Sequence, residues 1–430
     1  MKRIRLIFIL VLALLPVYVN ASENFNLEFQ GALINQSTYY QLKSDTLLNP
    51  DSKLALSPQW ENKFYENSSI NLTYKEWFNL GIKTRPVWTI NNEEGSNLEN
   101  SVDDAYVDIR FRDTSFLTIG KQNLQEGVGL SYNPTDFLAQ EKEMDYSKRE
   151  EERKKEREGD YLIRLEKITE GLTLSLLLAP RIDNLQKEGT RGIIKLYSLV
   201  GNTDIAVSYL NGKLPKSGIN LSSVIGSNIE FHTEAGLNKG SNRKFLRKKK
   251  EVGPPNSGVY GYEIYDPEED DKVFTKALVG GHYTFCNKTN LIVEYFFNED
   301  GYSQSEWDDF IGLVKDANLK FKEPPAGFSN GLFAENLRLA NACMTFRSLR
   351  KNYLFFRLSN PEIFNYYDGQ LSMLLNIDDG SMAIMPSIDY KKFGDIVVRF
   401  GLNWFSGDPK SEFNLVPYTS EFQLGARYFF

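Results

Sequence analysis

Short segments of alternating apolar and polar residues recur along most of this chain. The last segment is the clearest, because its apolar side chains stand at every second position, namely Phe422, Leu424, Ala426, Tyr428 and Phe430. Successive side chains of a β-strand point to opposite faces, so this pattern predicts a strand with one apolar and one polar face. A lipid-facing barrel strand and a half-buried strand of a soluble sheet both fit it.

Similar segments, separated by turn residues, predict further strands. They lie at 25–35, 54–65, 69–74, 77–90, 104–112, 115–122, 161–168, 171–181, 191–199, 203–210, 227–237, 272–285, 290–298, 335–346, 352–358, 370–377, 381–390, 395–405 and 419–430. Allowing for errors and merged segments, we expect an all-β fold. The predicted architecture is a transmembrane antiparallel β-barrel of about 16 to 18 strands with long extracellular loops.

The links between these segments differ in length. Turns such as 113–114, 169–170 and 201–202 are short, whereas long links occupy 141–160, 238–271 and 301–330. Long loops at one end and short turns at the other are typical of outer-membrane barrels. In the third long link, Ser303 and Glu306 form a capping-box pattern ahead of apolar residues at helical spacing, which predicts a short helix at the barrel mouth.

The N-terminus carries the pattern of a secretory signal peptide. Lys2, Arg3 and Arg5 precede an apolar run at 6–15, and a cleavage site follows Ala21. We therefore expect residues 1–21 to be removed and 22–430 to form the barrel. No later stretch approaches the roughly 18 apolar residues of a membrane helix. The exported chain is then soluble in the periplasm, secreted, or a barrel in the bacterial outer membrane, which is our prediction.

Composition narrows the function classes. A mean hydropathy of −0.40 does not argue against a barrel, because lipid-facing apolar residues alternate with a polar lumen. The 23 Tyr, 29 Phe and 5 Trp fit aromatic girdles at the two membrane interfaces. A net charge of −7 argues against nucleic acid as a partner. Whether Cys286 and Cys343 form a disulfide depends on geometry that sequence leaves open.

The alternation also assigns side chains to faces. Ile396, Val398, Phe400, Leu402 and Trp404 form an outward row, with Arg399 on the opposite face. The same assignment across the chain predicts that the lumen is lined by Lys83, Arg85, Arg110, Arg164, Lys276, Arg357, Arg399 and Arg427, with Asp108, Glu166, Glu294 and Asp389.

Cations exceed carboxylates in this set, and an excess of fixed positive charge in a pore attracts anions. The alternative is that the charges pair, simply to satisfy a polar interior. In that case Arg164 and Glu166 would pair with neighbouring strands and not with each other.

Two stretches carry candidate lumen features. Asn133, Pro134, Thr135 and Asp136 predict a sharp turn, because Pro134 fixes its own φ and restricts Asn133 while Asp136 can accept backbone hydrogen bonds. This turn either forms a constriction inside the lumen or lies on the surface. The loop 141–160 alternates in charge, which favours a solvated, partly helical loop over a gating plug.

Catalysis is not indicated. The chain has two histidines, His232 and His282, and neither stands beside a nucleophile motif. No metal-ligand spacing or phosphate-binding loop is found in the sequence. We predict a protein that is not an enzyme and needs no cofactor or metal.

Several motifs resemble those of a known family. They are Thr118-Ile-Gly-Lys-Gln122, Glu126-Gly-Val-Gly-Leu130, the turn at 133–136, the hairpin at 283–298 with 301–303, the stretches 379–381 and 407–413, and the terminal aromatic strand. This pattern is similar to that of alginate-export-like outer-membrane barrels and related porin-like families, and it spans most of the mature chain. The resemblance implies a monomeric barrel of about eighteen strands with an aqueous lumen. It does not identify the cargo.

The expected function is passive passage of a polar solute, of anionic character if the lumen charges are unpaired. Secretion of an anionic polysaccharide, uptake of a small nutrient, and a non-transporting surface barrel with a plugged lumen, acting as an adhesin or structural protein, remain open. Expected partners are outer-membrane lipid, an unknown solute and the barrel-assembly machinery. The last would bind the terminal strand through Phe422, Leu424, Tyr428 and Phe430.

Overall fold

The computed structural model describes residues 24–54, 57–138, 152, 154, 156–180, 189–241, 243–267, 271–344 and 349–430. The predicted signal peptide and most of the charged loop 141–160 therefore lie outside the described residues.

β-Strands dominate this part of the chain. In chain order they are β1 Phe25–Leu42, β2 Trp60–Tyr74, β3 Phe78–Asn91, β4 Gly95–Arg110, β5 Ser115–Gln122, β6 Asp160–Thr169, β7 Leu172–Ala179, β8 Arg191–Val200, β9 Thr203–Asn211, β10 Lys216–Ile225, β11 Ile229–Lys239, β12 Phe245–Glu251, β13 Tyr260–Tyr265, β14 Val273–Thr284, β15 Asn290–Asn298, β16 Asn352–Ile363, β17 Tyr367–Asn376, β18 Met382–Phe393, β19 Ile396–Ser406 and β20 Tyr418–Phe429. Two helices, α1 Gln304–Lys322 and α2 Asn330–Cys343, lie between β15 and β16.

Eighteen of these strands form one closed antiparallel sheet, and β12 and β13 form a separate hairpin. The first and last strands close the sheet, because β1 pairs with both β2 and β20. Beyond the end of β20, the backbone N–H of Phe430 donates to the carbonyl of Gly31 at 3.0 Å. Closure removes the unpaired strand edges that lipid cannot hydrogen-bond. The predicted transmembrane antiparallel barrel is confirmed, with eighteen strands.

The two ends of the barrel differ as the link lengths predict. One end, here called the turn end, carries short links such as 75–77, 170–171 and 201–202. The loop end carries 43–59, 123–159, 240–272, 299–351 and 407–417. These are the links in which the predicted long loops fall. The link 377–381, although short, also belongs to the loop end.

The outer face of the barrel is apolar over most of its circumference. Phe400, Leu424 and Trp404 are 53%, 50% and 46% exposed, as expected for side chains that face lipid. No helix among the described residues is long and apolar enough to cross a membrane. The barrel interior instead holds the polar members of each alternating strand.

Three sequence-based assignments are wrong. The predicted strands 54–65 and 69–74 belong in part to one strand, β2, which continues through the polar residues between them. The predicted strand 335–346 falls largely in helix α2, where Phe333, Ala334, Leu337 and Ala340 are buried at helical spacing. Strand β10 was not expected, because Gly218 and three serines weaken its strand signal.

Helix α1 confirms the predicted capping box. The Ser303 side chain accepts a hydrogen bond from the Glu306 backbone, and the Glu306 side chain accepts one in return. Trp307, Phe310, Ile311 and Val314 of α1 are buried together with residues of α2, β12, β13 and the links 43–59 and 407–417. These elements form one folded cap at the loop end. Cys343 is buried in this cap and Cys286 is exposed in a turn-end link, so the two thiols are free.

Candidate functional site

The barrel interior is partly filled by a stretch of chain between β5 and β6. Residues 123–138, here called the inner segment, run along the inner wall. Glu234 of β11 anchors it, because its carboxylate accepts hydrogen bonds from the backbone N–H groups of Val128 and Gly129, the latter at 2.7 Å. The same carboxylate accepts bonds from the side chains of Asn133 and Thr135 at 2.9 and 2.8 Å. Glu234 is 1% exposed.

A second carboxylate on the wall holds the same segment. Glu294 of β15 accepts backbone N–H bonds from Leu130 at 2.6 Å and Ser131 at 2.7 Å, and it also bonds the Ser131 hydroxyl. His232 Nε2 lies 2.9 Å from Oε1 of this carboxylate, the oxygen that also accepts the Leu130 N–H. Glu294 was expected to line the lumen. It does point inward, but the inner segment covers it completely.

The predicted turn lies inside the barrel and not on its surface. Thr135 and Asp136 are 4% and 5% exposed. Asn133 also bonds the carbonyl of Gly129 at 2.8 Å, and a Cβ added to Gly236 of β11 would stand 2.8 Å from the carbonyl oxygen of Pro134. Glycine is required there because the turn packs directly on the strand. Asp136 is paired with Arg157 at 2.9 Å.

Beyond the inner segment, the chain reaches the opposite wall. Glu152 pairs with Arg399 of β19 at 2.7 Å and with Arg427 of β20 at 2.9 Å. Burial alone would raise the pKa of Glu152, but the two guanidinium groups outweigh it and lower the pKa to about 2. Arg399 also makes a two-pronged contact with Asp389 at 2.7 and 2.8 Å. Both arginines therefore face carboxylates and carry compensated charges.

Other predicted lumen residues also have partners. Arg85 pairs with Asp103 at 2.9 Å, and Lys276 lies 3.7 Å from Asp300. Arg164 lies 3.6 Å from Glu166 two positions along its own strand. The expectation that these two pair only with neighbouring strands is therefore wrong, because residues i and i+2 of a strand share a face.

The remaining predicted lumen residues lie at different levels along the barrel. The Asp108 carboxylate accepts a bond from the Thr118 hydroxyl at 2.6 Å, and Arg110 reaches Glu76 and Asp113 at the turn-end rim. Lys83 lies beside Asp104 in the β3–β4 register, on the inner face. Arg357 of β16 is 9% exposed.

Among the described residues, two cavities lie beside the filled part of the lumen. The turn-side cavity, of about 710 Å³, is bordered by β15 to β20 and by β1 and β2, and the loop-side cavity, of about 320 Å³, by β1 to β4. The charged side chains of the turn-side cavity are Lys288, Arg357, Lys391, Arg399 and Arg427 with Glu152, Glu156, Asp368 and Asp389. Those of the loop-side cavity are Lys63 and Arg85 with Glu61, Glu94 and Glu99.

Taken together, the two described linings hold equal numbers of cations and carboxylates, so the cation excess expected from the sequence is limited to one group in the turn-side cavity. The sequence assignment missed carboxylates in three places. Glu234 lies on the polar face of β11 and was recoverable from alternation, whereas Asp103 is the extra residue at a register shift between β3 and β4, where the alternation is reversed. Glu152 belongs to a loop, and strand periodicity carries no signal for it. No cluster of metal-ligating side chains is found in the part of the chain that the structure describes.

A closed barrel with an apolar outer face and a polar, partly filled interior defines an outer-membrane β-barrel protein, and the bacterial outer membrane is its location. No family model matches the chain, and no curated protein matches it.

Solved structures with this fold are outer-membrane porins. OccAB1 of Acinetobacter baumannii is 10% identical, with a TM-score of 0.51 over 96% of this chain and 99% of that one. OccK2 (OpdF) of Pseudomonas aeruginosa, solved in complex with glucuronate, is 10% identical, with a TM-score of 0.51 over 94% and 96%. OccK11 (OpdR) of the same organism is 9% identical, with a TM-score of 0.50 over 96% and 98%. These matches support the barrel, and membership of the alginate-export-like family stays a prediction.

Proposed function

We propose that this protein is a passive outer-membrane channel whose pathway runs through the two cavities. The observation that carries the proposal is the asymmetric filling of the lumen. The inner segment is fastened to β11 and β15, and this leaves space lined by charged side chains along the other wall. Tyr65 and Arg85 border the loop-side cavity, and Glu156 and Arg427 border the turn-side one. Solutes would pass between these groups by diffusion, without covalent chemistry.

The solute we propose is small and polar, with a preference for anions at the turn-side cavity. Arg357, Arg399 and Arg427 stand on one wall there, and the cavity has one more cation than carboxylates. Fixed cations in a narrow passage favour anions. A polysaccharide would need a row of cations along the whole passage. The loop-side cavity instead has three carboxylates and two cations, which favours a small solute.

A liposome-swelling assay tests this preference. We expect the folded chain to admit glucuronate, the ligand in the OccK2 structure, faster than a neutral sugar of similar size. Arg357→Gln should reduce that ratio by at least about twofold, because it removes one of the fixed cations of the cavity. Arg247→Gln, in the β12–β13 hairpin outside the barrel, is the matched control and should leave the ratio unchanged. Equal entry of both solutes would contradict the anion preference.

One observation favours a second candidate, a surface barrel that does not transport. The cap at the loop end has its own hydrophobic core, formed from residues of four loop-end links. A folded cap of this kind suits an adhesin or structural role in which the loops bind and the lumen is closed. That function predicts no solute entry in the swelling assay, and loss of surface binding when helices α1 and α2 are deleted.

A further inference from the structure

A row of exposed cations lies on the cap at the loop end. Strand β12 carries four of them in succession, here called the basic run, namely Arg247, Lys248, Lys249 and Lys250. The described hairpin 245–265 sets two carboxylates, Glu251 and Glu263, against these four cations. The proposed channel makes no use of this charge, because the basic run borders neither cavity.

The backbone of the hairpin keeps part of the basic run open to a ligand. The cross-strand register shifts between Lys248 and Glu251, so Lys249 and Lys250 both stand opposite Gly261. Two residues opposite one make a β-bulge, which redirects side chains at that point of a strand. Gly261 has no side chain, so the space beside the two lysines stays accessible.

The nearby carboxylates compensate only part of the charge. Glu263 is shared by two cations, since it lies 2.8 Å from Arg247 and 3.7 Å from Lys249. Glu251 is held by backbone N–H groups of the hairpin turn, the shortest bond being 2.8 Å. Among the described residues, Lys250 has no ion-pair partner. The basic run therefore presents a net positive charge to solvent.

The tyrosines beside the basic run help to define its ligand. Runs of Lys and Arg of this length bind nucleic acids or heparin-like polysaccharides. Single-stranded nucleic acids need aromatic faces on which bases can stack. Here the Arg247 guanidinium lies 4.5 Å from the ring centroid of Tyr265, and Lys248 Nζ lies 4.9 Å from that of Tyr260. Cations of the run itself occupy these faces, which favours a polysaccharide.

The hairpin belongs to the cap and not to the barrel wall that lipid surrounds. Its Phe245, Leu246, Val259 and Tyr262 are buried in the core of the cap together with residues of α1 and α2. The backbone N–H of Tyr262 also donates to the side chain of Asn336 of α2 at 2.8 Å. The long loops of outer-membrane barrels face the exterior of the cell. The basic run is therefore presented to polymers outside the cell.

We propose that the basic run binds a sulfated polysaccharide outside the cell. Residues of an extended strand follow one another at about 3.3 Å, so the run forms a line of cations that suits a linear polyanion. Sulfate groups along such a polymer would pair with successive cations of β12. The attraction is electrostatic and exposed to solvent, so it weakens as salt is added. This inference does not depend on the proposed transport function.

Heparin binding by the folded chain in phosphatidylcholine vesicles tests the partner. We expect saturable binding of heparin at low salt, weakening as salt rises, and no binding of neutral dextran of similar length. Absence of heparin binding, or equal binding of dextran, would overturn the proposal. Tighter binding of a single-stranded oligonucleotide of equal charge would also overturn it, because the ligand would then be a nucleic acid.

A double substitution locates the binding surface. Lys249→Gln combined with Lys250→Gln should weaken heparin binding by about fivefold or more, because it removes two fixed cations from the run. Lys53→Gln combined with Lys410→Gln removes two exposed lysines elsewhere at the loop end, and this matched control should bind as the parent does. Folding is checked by the difference in gel mobility between heated and unheated samples. A folded β12 variant that binds heparin as tightly as the parent would overturn the proposal.

Photo-crosslinking distinguishes a polymer outside the cell from lipid. A photo-reactive amino acid placed at Lys250 should crosslink to added heparin in intact outer membranes and should give no product with lipopolysaccharide. Crosslinks to lipopolysaccharide would assign the basic run to the phosphates of surface lipid and would overturn the proposal.

Discussion

At the scale of single residues, Glu152 compensates part of the positive charge that borders the turn-side cavity. It pairs with both Arg399 and Arg427, and Asp389 holds the other side of Arg399. Such a buried cluster is stable only while every charge keeps a partner. The anion preference of the proposed channel therefore depends on a loop carboxylate as well as on the arginines of the wall.

Glu152→Gln should increase the anion selectivity of the channel. The substitution removes a negative charge from between two arginines while preserving the shape of the side chain. We therefore expect the reversal potential in a salt gradient to shift toward the equilibrium potential of the anion. Glu263→Gln, in the external hairpin, changes the net charge equally and should cause no shift. An unchanged potential in the Glu152 variant would show that this cluster lies off the conduction path.

The same cluster predicts a dependence on pH. Because the pKa of Glu152 is lowered to about 2 from its ordinary 4.5, its contribution to stability is complete above pH 4.5 and is lost as the pH falls toward 2. We therefore expect the selectivity contributed by Glu152 to stay constant from pH 7 to about pH 4 and to become more anionic below about pH 3. Glu152→Gln should abolish this low-pH change, and an equal change in the variant would assign it to another group.

At the loop end, Glu412 makes the stability of the fold depend on pH in the opposite direction. The residue is 8% exposed, and its carboxylate accepts hydrogen bonds from Tyr353 at 2.6 Å and Asn376 at 2.7 Å. Burial raises the pKa of this carboxyl to about 7 from the ordinary 4.5. The folded state therefore holds a proton that the unfolded state has lost, and stability falls between pH 4.5 and 7.

We expect the amide protection of residues 407–417, corrected for intrinsic exchange, to fall about tenfold or more from pH 5 to pH 8. In Glu412→Gln this fall should be absent, since the amide cannot ionise. Equal protection at both pH values in the parent chain would contradict the raised pKa.

At the scale of elements, the inner segment is fixed to the wall by two carboxylates rather than by apolar packing alone. Glu234 and Glu294 together accept hydrogen bonds from four backbone N–H groups between Val128 and Ser131. A buried backbone N–H that loses its acceptor costs about 1 to 3 kcal/mol. The segment should therefore detach when either carboxylate is removed.

Glu234→Ala and Glu294→Ala should each widen the passage. We expect a larger and noisier single-channel conductance. The backbone N–H groups that lose their carboxylate acceptor would hydrogen-bond water instead, so the inner segment would no longer be held against the barrel wall. Glu230→Ala is the matched control, since Glu230 lies on the same inner face of β11 but does not bond the inner segment. Unaltered conductance in both anchor variants would mean that the segment does not set the width of the passage.

Sequence could predict the elements whose pattern is local and not those that depend on distant contacts. The outward rows of β19 and β20 follow from periodicity, and the N-terminus of helix α1 follows from a capping box. Both are found as expected. Strand β10 and helix α2 were missed because their local sequence signals are weak. Pairing with neighbouring strands determines β10, and packing in the core of the loop-end cap determines α2. The anchors of the inner segment join residues more than 90 positions apart, and no local pattern indicates such contacts.

At the scale of the whole molecule, closure depends on the seam between β20 and β1. The ring of Phe430 covers Gly31, where an added Cβ would stand 2.4 Å from it, and it lies 5.5 Å from the ring of Phe29. Phe430→Ala would leave a gap at this seam and remove part of the proposed assembly signal. We expect a lower yield of heat-modifiable barrel in outer membranes, whereas Phe393→Ala, at an exposed position away from the seam, should assemble normally. Normal assembly of Phe430→Ala would remove this residue from the signal.

The most direct test of the account is the conductance of the folded chain without its predicted signal peptide in a planar bilayer. We expect steady single-channel conductance with a reversal potential modestly biased toward anions, because charged cavities lie on both sides of Tyr65 and the lumen charges are largely compensated. Electrical silence of a correctly folded barrel would contradict the proposed channel and favour the closed surface barrel.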